Sequence, residues 1–469
     1  MFFKTENELL HNDVYEIKND TVIIHDSDIF KKKVIDKLAA TIILSDSSSI
    51  KRLCYWIVYI ITQKYGIIPS SIGELYKARG KNKFNQFTVP AINLRTLTYD
   101  LAKAVFRSAK KINAASFIFE LAKSEIGYTA QCPLEYSSLI LLAAMKESYH
   151  CPIFIQGDHF QVNASNYLEN KDKEIVQLKN LIQEAVDAHF YNIDIDSSTL
   201  VDVSKETIEQ QKELNCHLCA YFTKFIRQIQ PQDIEISIGG EIGEVGGKNS
   251  VPQELIAFMQ CYLKEIGPLP GICKMSIQTG TTHGGVVLPD GSIAKAKLDF
   301  KTLNNLSMLA QEKYNLAGCV QHGASTLPNE AFSHFPENGC AEIHLATQFQ
   351  NIVYEYLPIP LKEKIYEWLH ENCENERKPN QTNDQFIYKT RKKALGPFKK
   401  EIVSLSGDLK NKISKAMEKE FDFMFDQLNI ANTKELVEKY VKPVVVEKTK
   451  EHFLKQDCRG GSMYPPVTK

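Results

Sequence analysis

The sequence predicts an α/β chain folded as a closed (β/α)8 TIM barrel with additional, mainly helical N- and C-terminal extensions. Three observations predict it. Between Phe87 and about Pro360, eight short β-rich runs alternate with longer helix-patterned ones. Most of these runs are continuously apolar, as strands of a parallel sheet covered by helices require. Polar residues close each run at intervals of about one βα unit, the pattern of a barrel whose functional groups gather at the C-terminal rim. An open doubly wound sheet competes, but its glycine-rich turn after the first strand has no counterpart in PAINLRTLTYD.

In chain order, FTVPAIN precedes the helix-patterned TLTYDLAKAVFRSAKK, and ASFIFELA precedes PLEYSSLILLAAMKESY. PIFIQGDHF and EIVQLKNLIQEAVDAH follow, then YNIDIDSSTL and KETIEQQKELNCHLCAYFTKF. The remaining strands are IEISIGGEIG, ICKMSIQTGTTHG, LAGCVQHGAS and CAEIHLAT. The barrel therefore takes residues 86–360. Residues 1–85 form an N-terminal extension in which LCYWIVYIIT, too short for a bilayer, predicts a buried helix. Residues 361–469 form a charged, helix-prone C-terminal extension ending in GRGGSMYPPVTK, a tail of turn-forming or disordered composition.

Composition narrows the function classes. The 56 basic and 57 acidic side chains nearly cancel, leaving no electrostatic footprint for nucleic acid or an anionic membrane. An apolar fraction of 43% suits an enzyme-sized globular chain. Eleven scattered cysteines and an N-terminus without signal-peptide shape point to reduced thiols in a cytoplasmic protein. Cys216-His217-Leu218-Cys219 has CxxC spacing, but no second pair completes a zinc set, so buried helix cysteines are expected.

The chemistry lies at the strand ends. Asn93 ends the first strand, Ser124 follows the second, Asp158-His159 ends the third, Asp196 the fourth and Glu241 the fifth. His283, His322 and Thr347 close the last three. A histidine taken alone is most often a surface or satisfied core residue. His159, His283 and His322, each beside strand-end turn chemistry in GDH, THGG and QHGAS, are together better read as ligands of one metal with an open coordination position. Gly284-Gly285 and Gly323-Ala324-Ser325 let backbone N–H groups approach an anion, and the last two strands are the usual phosphate site of such barrels.

These segments carry a resemblance. Residues 87–360 resemble the class II, metal-dependent fructose-bisphosphate aldolases and their ketose-bisphosphate relatives through VPAIN, IFIQGDHF, IDSS, EIGEVGG, GTTHGG, QHGAST and AEIHLAT. RKKALGPFKKEI resembles the segment following the barrel in that family. The resemblance implies Zn2+, or another divalent metal, held by His159, His283 and His322. It implies Asp196 and Glu241 at a second or alternative metal position, and Asp158 as catalytic acid/base. Ser124, Gly284, Gly323, Ser325 and Thr347 match substrate- and phosphate-holding positions, with Asn93, Ala324 and His344 as further candidate contacts. A monovalent cation is a further cofactor candidate. The implied partner is a small phosphorylated sugar, and the implied assembly a homodimer or larger homo-oligomer. The sequence departs from the family at three places: Gln156 replaces the leading His of His-x-Asp-His, GGKNS lacks the loop's consecutive acids, and His344-Leu345-Ala346-Thr347 replaces Asn-x-Asp-Thr.

Overall fold

The computed structural model describes residues 2–18, 21–243, 248–281, 288 and 298–456. All eight expected barrel strands are present. Numbered in chain order, a three-stranded antiparallel sheet of β1 (His11–Asn12), β2 (Tyr15–Lys18) and β3 (Thr21–Ile24) precedes the two-residue β4 (Pro69–Ser70). The barrel follows as β5 (Val89–Asn93), β6 (Ile118–Ala122), β7 (Ile153–Gln161), β8 (Asn192–Asp196), β9 (Ser237–Glu241), β10 (Lys274–Ile277), β11 (Cys319–Gln321) and β12 (Glu342–Leu345). Each pairs in parallel with the next, and β12 pairs with β5, which closes the ring. β4 lies beside the start of β7, with Pro69 opposite Ile153.

The bottom of the barrel is sealed by the helix Gly73–Gly80. Its Arg79 is fully buried and donates to the carbonyls of Ala317 and Cys340 at 2.9 Å each, and to that of Phe87. One guanidinium thereby ties together carbonyls that precede three strands. Gly80 allows this approach, since a Cβ there would lie 2.1 Å from the Asn315 carbonyl oxygen.

The N-terminal extension is not wholly helical, because it contains the β1–β3 meander. Its β-branched TVII strand buries Val22, and Tyr15 packs edge-on against Phe30 with centroids 5.7 Å apart. The apolar stretch at residues 53–62 lies in the helix Ser48–Lys64 and is nearly all buried. In the C-terminal extension, the helix Gly407–Gln427 lies along Thr98–Lys111. There Arg107 meets Glu147 and Glu418 at 2.9 Å each, and Phe425 stacks on Phe117. The chain then returns to the N-terminal helix: the Lys448 amide donates to the Tyr59 hydroxyl at 2.7 Å, and Arg52 Nε to the Gln456 carbonyl at 2.8 Å. The two extensions thus hold each other as well as the barrel. Among the described residues no helix is long and apolar enough to cross a membrane.

One cysteine expectation is corrected. Cys219 is a buried thiol, but Cys216 is joined to Cys261 by a disulfide linking the helices Ile208–Ile229 and Pro252–Ile266. The CxxC spacing does not show this pairing because the partner lies on the next helix, 45 residues away.

Candidate metal centre and active site

Consecutive strand residues point to opposite faces, so Asp158 and His159 would not ordinarily share the barrel interior. The register between β7 and β8 resolves this. Gly157 opposes Ile193 while Phe160 opposes Ile195, so β7 carries one extra residue at Asp158-His159. His159 takes a φ of +41°, the kind of local backbone strain a bulge uses to re-aim a side chain. Gly157 is required here: a Cβ would meet the Phe160 ring at 2.5 Å.

Three imidazoles line up beyond this bulge. The ring centroids of His159 and His322 are 4.2 Å apart, and those of His322 and His344 are 4.0 Å apart. His159 Nδ1 lies 3.1 Å from Asp196 Oδ2 and 3.4 Å from Glu241 Oε2. Asp196 is itself held by Gln161 at 2.5 Å and by the Ser198 hydroxyl at 2.7 Å. The turn after β10 is wound around Gln278, whose Oε1 accepts from the amides of Thr279, Gly280 and Thr281, and Thr281 donates to the His322 carbonyl at 2.8 Å.

Asp158 sits at the middle of this row. It is 6% exposed, and its Oδ1 lies 3.1 Å from His344 Nδ1 and 4.0 Å from both His159 Nε2 and His322 Nδ1. Burial opposes its ionisation, but the neighbouring His159, His344 and His322 hold the carboxyl well below the usual range. The same carboxylates act on His159: burial disfavours its charge, yet Asp158, Glu241 and Asp196 raise it well above the ordinary histidine value. Glu241 is pushed well up by burial and by Asp196.

A second polar layer lies one alternation deeper. Lys274 Nζ contacts Glu342 Oε1 at 2.5 Å, Gln156 Oε1 at 2.7 Å and Asp194 Oδ2 at 3.0 Å. Glu342 also accepts from Gln156 Nε2 at 2.9 Å, from the Tyr76 hydroxyl and from His344 Nε2 at 2.7 Å. Burial opposes its charge, but Lys274 and these donors hold it at about 2. Asp194, whose oxygens accept no hydrogen bond among the described residues, is pushed up to about 6 chiefly by burial. Gly239 makes room for it, since a Cβ there would lie 2.3 Å from Asp194 Oδ1.

The donor atoms of His159, Glu241 and His322 lie within 4.8 Å of one another. Asp158 Oδ1 is buried and accepts no hydrogen bond among the described residues. Two imidazoles, a carboxylate and a naked anionic oxygen suit a divalent metal. Asp196 is different, because both its oxygens are engaged by protein donors and its position suits orienting His159.

The other sequence candidates are distributed along the rim. Asn93 Nδ2 donates to Glu125 at 2.5 Å while its Oδ1 is buried and accepts no hydrogen bond among the described residues. Arg95 pairs with Glu125 at 2.7 Å and reaches the Thr347 hydroxyl at 3.5 Å. Gly323 has φ +71° and leads into the turn Ala324–Thr326, where Ser325 Oγ accepts from the Ala346 amide at 2.7 Å. Ser124 lies in the first turn of the helix Lys123–Tyr128, past the strand end. His344 is 5% exposed, engaged by carboxylates, and lies in the histidine row beside His322. His283 and Gly284 lie outside the described residues, as do Gly285, Glu244, Lys295, Lys297 and the C-terminal tail.

Sequence reading missed Glu120, Asp194, Lys274 and Glu342, although a signal exists. Gln156, Asp194 and Glu342 stand two residues before Asp158, Asp196 and His344, positions already singled out, and side chains two apart face the same way.

No curated protein sequence matches the chain. Among solved structures, it is similar to the YdjI aldolase of Escherichia coli K12 (13% identity, 78% of this chain and 100% of that one, TM-score 0.47). It is also similar to a fructose-bisphosphate aldolase of Campylobacter jejuni (19%, 78% and 97%, TM-score 0.45). A third is a probable tagatose 6-phosphate kinase of Sinorhizobium meliloti (13%, 78% and 96%, TM-score 0.48). The family model for class-II fructose-bisphosphate aldolase matches residues 75–422, about three quarters of the sequence, and the chain therefore belongs to that family.

Proposed function

We propose that this chain is a zinc-dependent lyase that reversibly cleaves a ketose 1,6-bisphosphate between C3 and C4. Fructose 1,6-bisphosphate is the leading substrate, giving dihydroxyacetone phosphate and glyceraldehyde 3-phosphate in glycolysis or gluconeogenesis. The observation that carries the reading is Asp158, a buried carboxyl whose Oδ1 lies 3.1 Å from an imidazole nitrogen of His344 and 4.0 Å from those of His159 and His322, in a chain of this family.

Cleavage requires a base at the C4 hydroxyl and charge stabilisation at the C2 carbonyl. Asp158 takes the hydroxyl proton as the carbon–carbon bond breaks and returns it during condensation. His159 and His322, with Glu241 and the family's third histidine position His283, would hold the divalent cation, which when bound supplies Lewis acidity at the carbonyl oxygen. Asp196 fixes the His159 ring, and the bulge at Gly157 keeps base and ligand on one face. The backbone amides of Gly323, Ala324 and Ser325 are the phosphate cradle.

A second reading has support from β12. His344 is committed to carboxylates and Ala346 has no polar group, so this strand offers the sugar different contacts from the family's Asn-x-Asp-Thr. This favours tagatose 1,6-bisphosphate or another ketose phosphate, or sugar-phosphate binding without turnover. A coupled aldol-cleavage assay on both epimeric bisphosphates, with and without chelator, separates these. Full activity after complete metal removal refutes the zinc mechanism. No cleavage of any ketose bisphosphate by metal-loaded protein leaves only the binding role.

A further inference from the structure

The rim between β12 and β5 carries a guanidinium that the cleavage chemistry does not use. Arg95 stands two residues past the end of β5, and its side chain is only 13% exposed. Its Nε donates to Glu125 Oε1 at 2.7 Å, while Nη1 lies 3.2 Å from Gln350 Oε1 and 3.5 Å from Thr347 Oγ1. Nη2 donates to nothing among the described residues. A half-engaged guanidinium of this kind suits an oxyanion, which arginine meets with several N–H donors at once.

Two neighbouring features point to a ligand at the same corner. Glu125 Oε2 accepts from Asn93 Nδ2 and from the Ala122 amide, so a flipped Asn93 would set its oxygen against a carboxylate. Asn93 Oδ1 is thereby fixed on a residue 1% exposed, and it accepts no hydrogen bond among the described residues. A buried acceptor left open in this way needs a donor from elsewhere. On the β12 side, the helix Thr347–Tyr356 starts after Ala346, which has no side chain to cap it, and the amides of Thr347, Gln348 and Phe349 donate to nothing among the described residues. Ser325 Oγ accepts from the Ala346 amide, which joins the turn Ala324–Thr326 to this helix start and leaves the Ser325 hydroxyl hydrogen for a ligand. All the positions matched to the family's substrate and phosphate contacts, Ser124, Gly284, Gly323, Ser325 and Thr347, are uncharged. β12 also presents Ala346 where the family offers an acid, which would compete with phosphate for a guanidinium at this rim.

We propose that Arg95 is a specificity-determining residue whose Nη2, with the Thr347 hydroxyl and the open amides of its helix, binds one phosphate of the substrate. Asn93 Oδ1 accepts a hydroxyl of the same molecule. The proposal rests on the sugar-phosphate reading above and deepens it: the site selects a phosphate monoester over the corresponding neutral sugar through a guanidinium supplied by β5.

The test uses the full chain with Zn2+ present and reads binding by calorimetry, with dihydroxyacetone phosphate and dihydroxyacetone as probes. The parent is expected to bind the phosphate ester far more tightly than the neutral triose. Arg95→Met should weaken the phosphate ester by about tenfold to a hundredfold, while Zn2+ affinity in equilibrium dialysis stays that of the parent, which a collapsed rim would not allow. Arg95→Lys keeps the charge but has no fork to share between Glu125 and phosphate, and should weaken binding by about threefold or more. It carries the test if Arg95→Met does not fold, as judged by circular dichroism. No binding of dihydroxyacetone phosphate by the parent, a smaller loss than these in the folded variant, or parallel loss of Zn2+ overturns the proposal. Cleavage is scored separately. Arg95-dependent binding without cleavage of any ketose bisphosphate counts against the reaction and leaves the anchor standing, whereas cleavage with Arg95-independent binding counts against the anchor alone.

Discussion

Lys274→Met offers the sharpest test of the polar barrel interior. The ammonium is 1% exposed and sits 2.5 Å from Glu342 and 3.0 Å from Asp194. At an effective dielectric of about 20, those separations correspond to attractions of about 7 and about 6 kcal/mol. Desolvating the ammonium offsets much of this, and removing one partner of a buried pair typically costs about 3–5 kcal/mol because the remaining charges are left uncompensated. Methionine fills similar volume, so the loss reports charge rather than a cavity. Urea unfolding followed by far-ultraviolet circular dichroism should show a midpoint lowered by that amount. The double variant Lys274→Met/Glu342→Gln should recover part of the loss, since it removes one stranded carboxylate. A destabilisation below about 1 kcal/mol, or no recovery in the double variant, would refute the reasoning that this layer is an ionised network.

Three further outcomes follow from the site and its supports. Gly157→Ala places a Cβ 2.5 Å from the Phe160 ring, so it should cost about 1–3 kcal/mol and weaken metal binding at least tenfold by disturbing the His159 bulge; unchanged metal affinity in equilibrium dialysis would contradict the bulge argument. Asp158→Asn should lower kcat for aldol cleavage by about 10²–10⁴ with KM little changed, and steady-state kinetics showing wild-type turnover would remove Asp158 from the reaction. Cys216→Ser should lower unfolding stability by about 2–4 kcal/mol in non-reducing buffer but make no difference once the wild type is reduced, and peptide mapping should recover the Cys216–Cys261 link only without reductant.

The barrel was legible from the sequence because its signals are local and repeated. Eight apolar runs, each closed by a polar residue, state both the strand and its functional end, and the period of two along a strand decides which neighbours share the interior. The N-terminal meander was not legible, because β1 to β3 are only two to four residues long and lie beside a dominant helical pattern. The Cys216–Cys261 link was hidden for a similar reason, since its two cysteines belong to separate βα units.

The site divides along the same line. By itself the sequence determined the barrel, the strand ends that carry Asp158, His159, Glu241 and His322, and the family to which their order points. Only the tertiary structure decided that Asp158 and His159 share one face, through an extra residue in β7 and a positive φ. Only it brought His344 onto the histidine row and set Lys274 against Glu342 and Asp194. These facts depend on register between strands distant in sequence and on charges that meet only when the barrel closes. Strand identity is written in the spacing of neighbours along the chain, whereas ligand geometry is written in the pairing of strands across it.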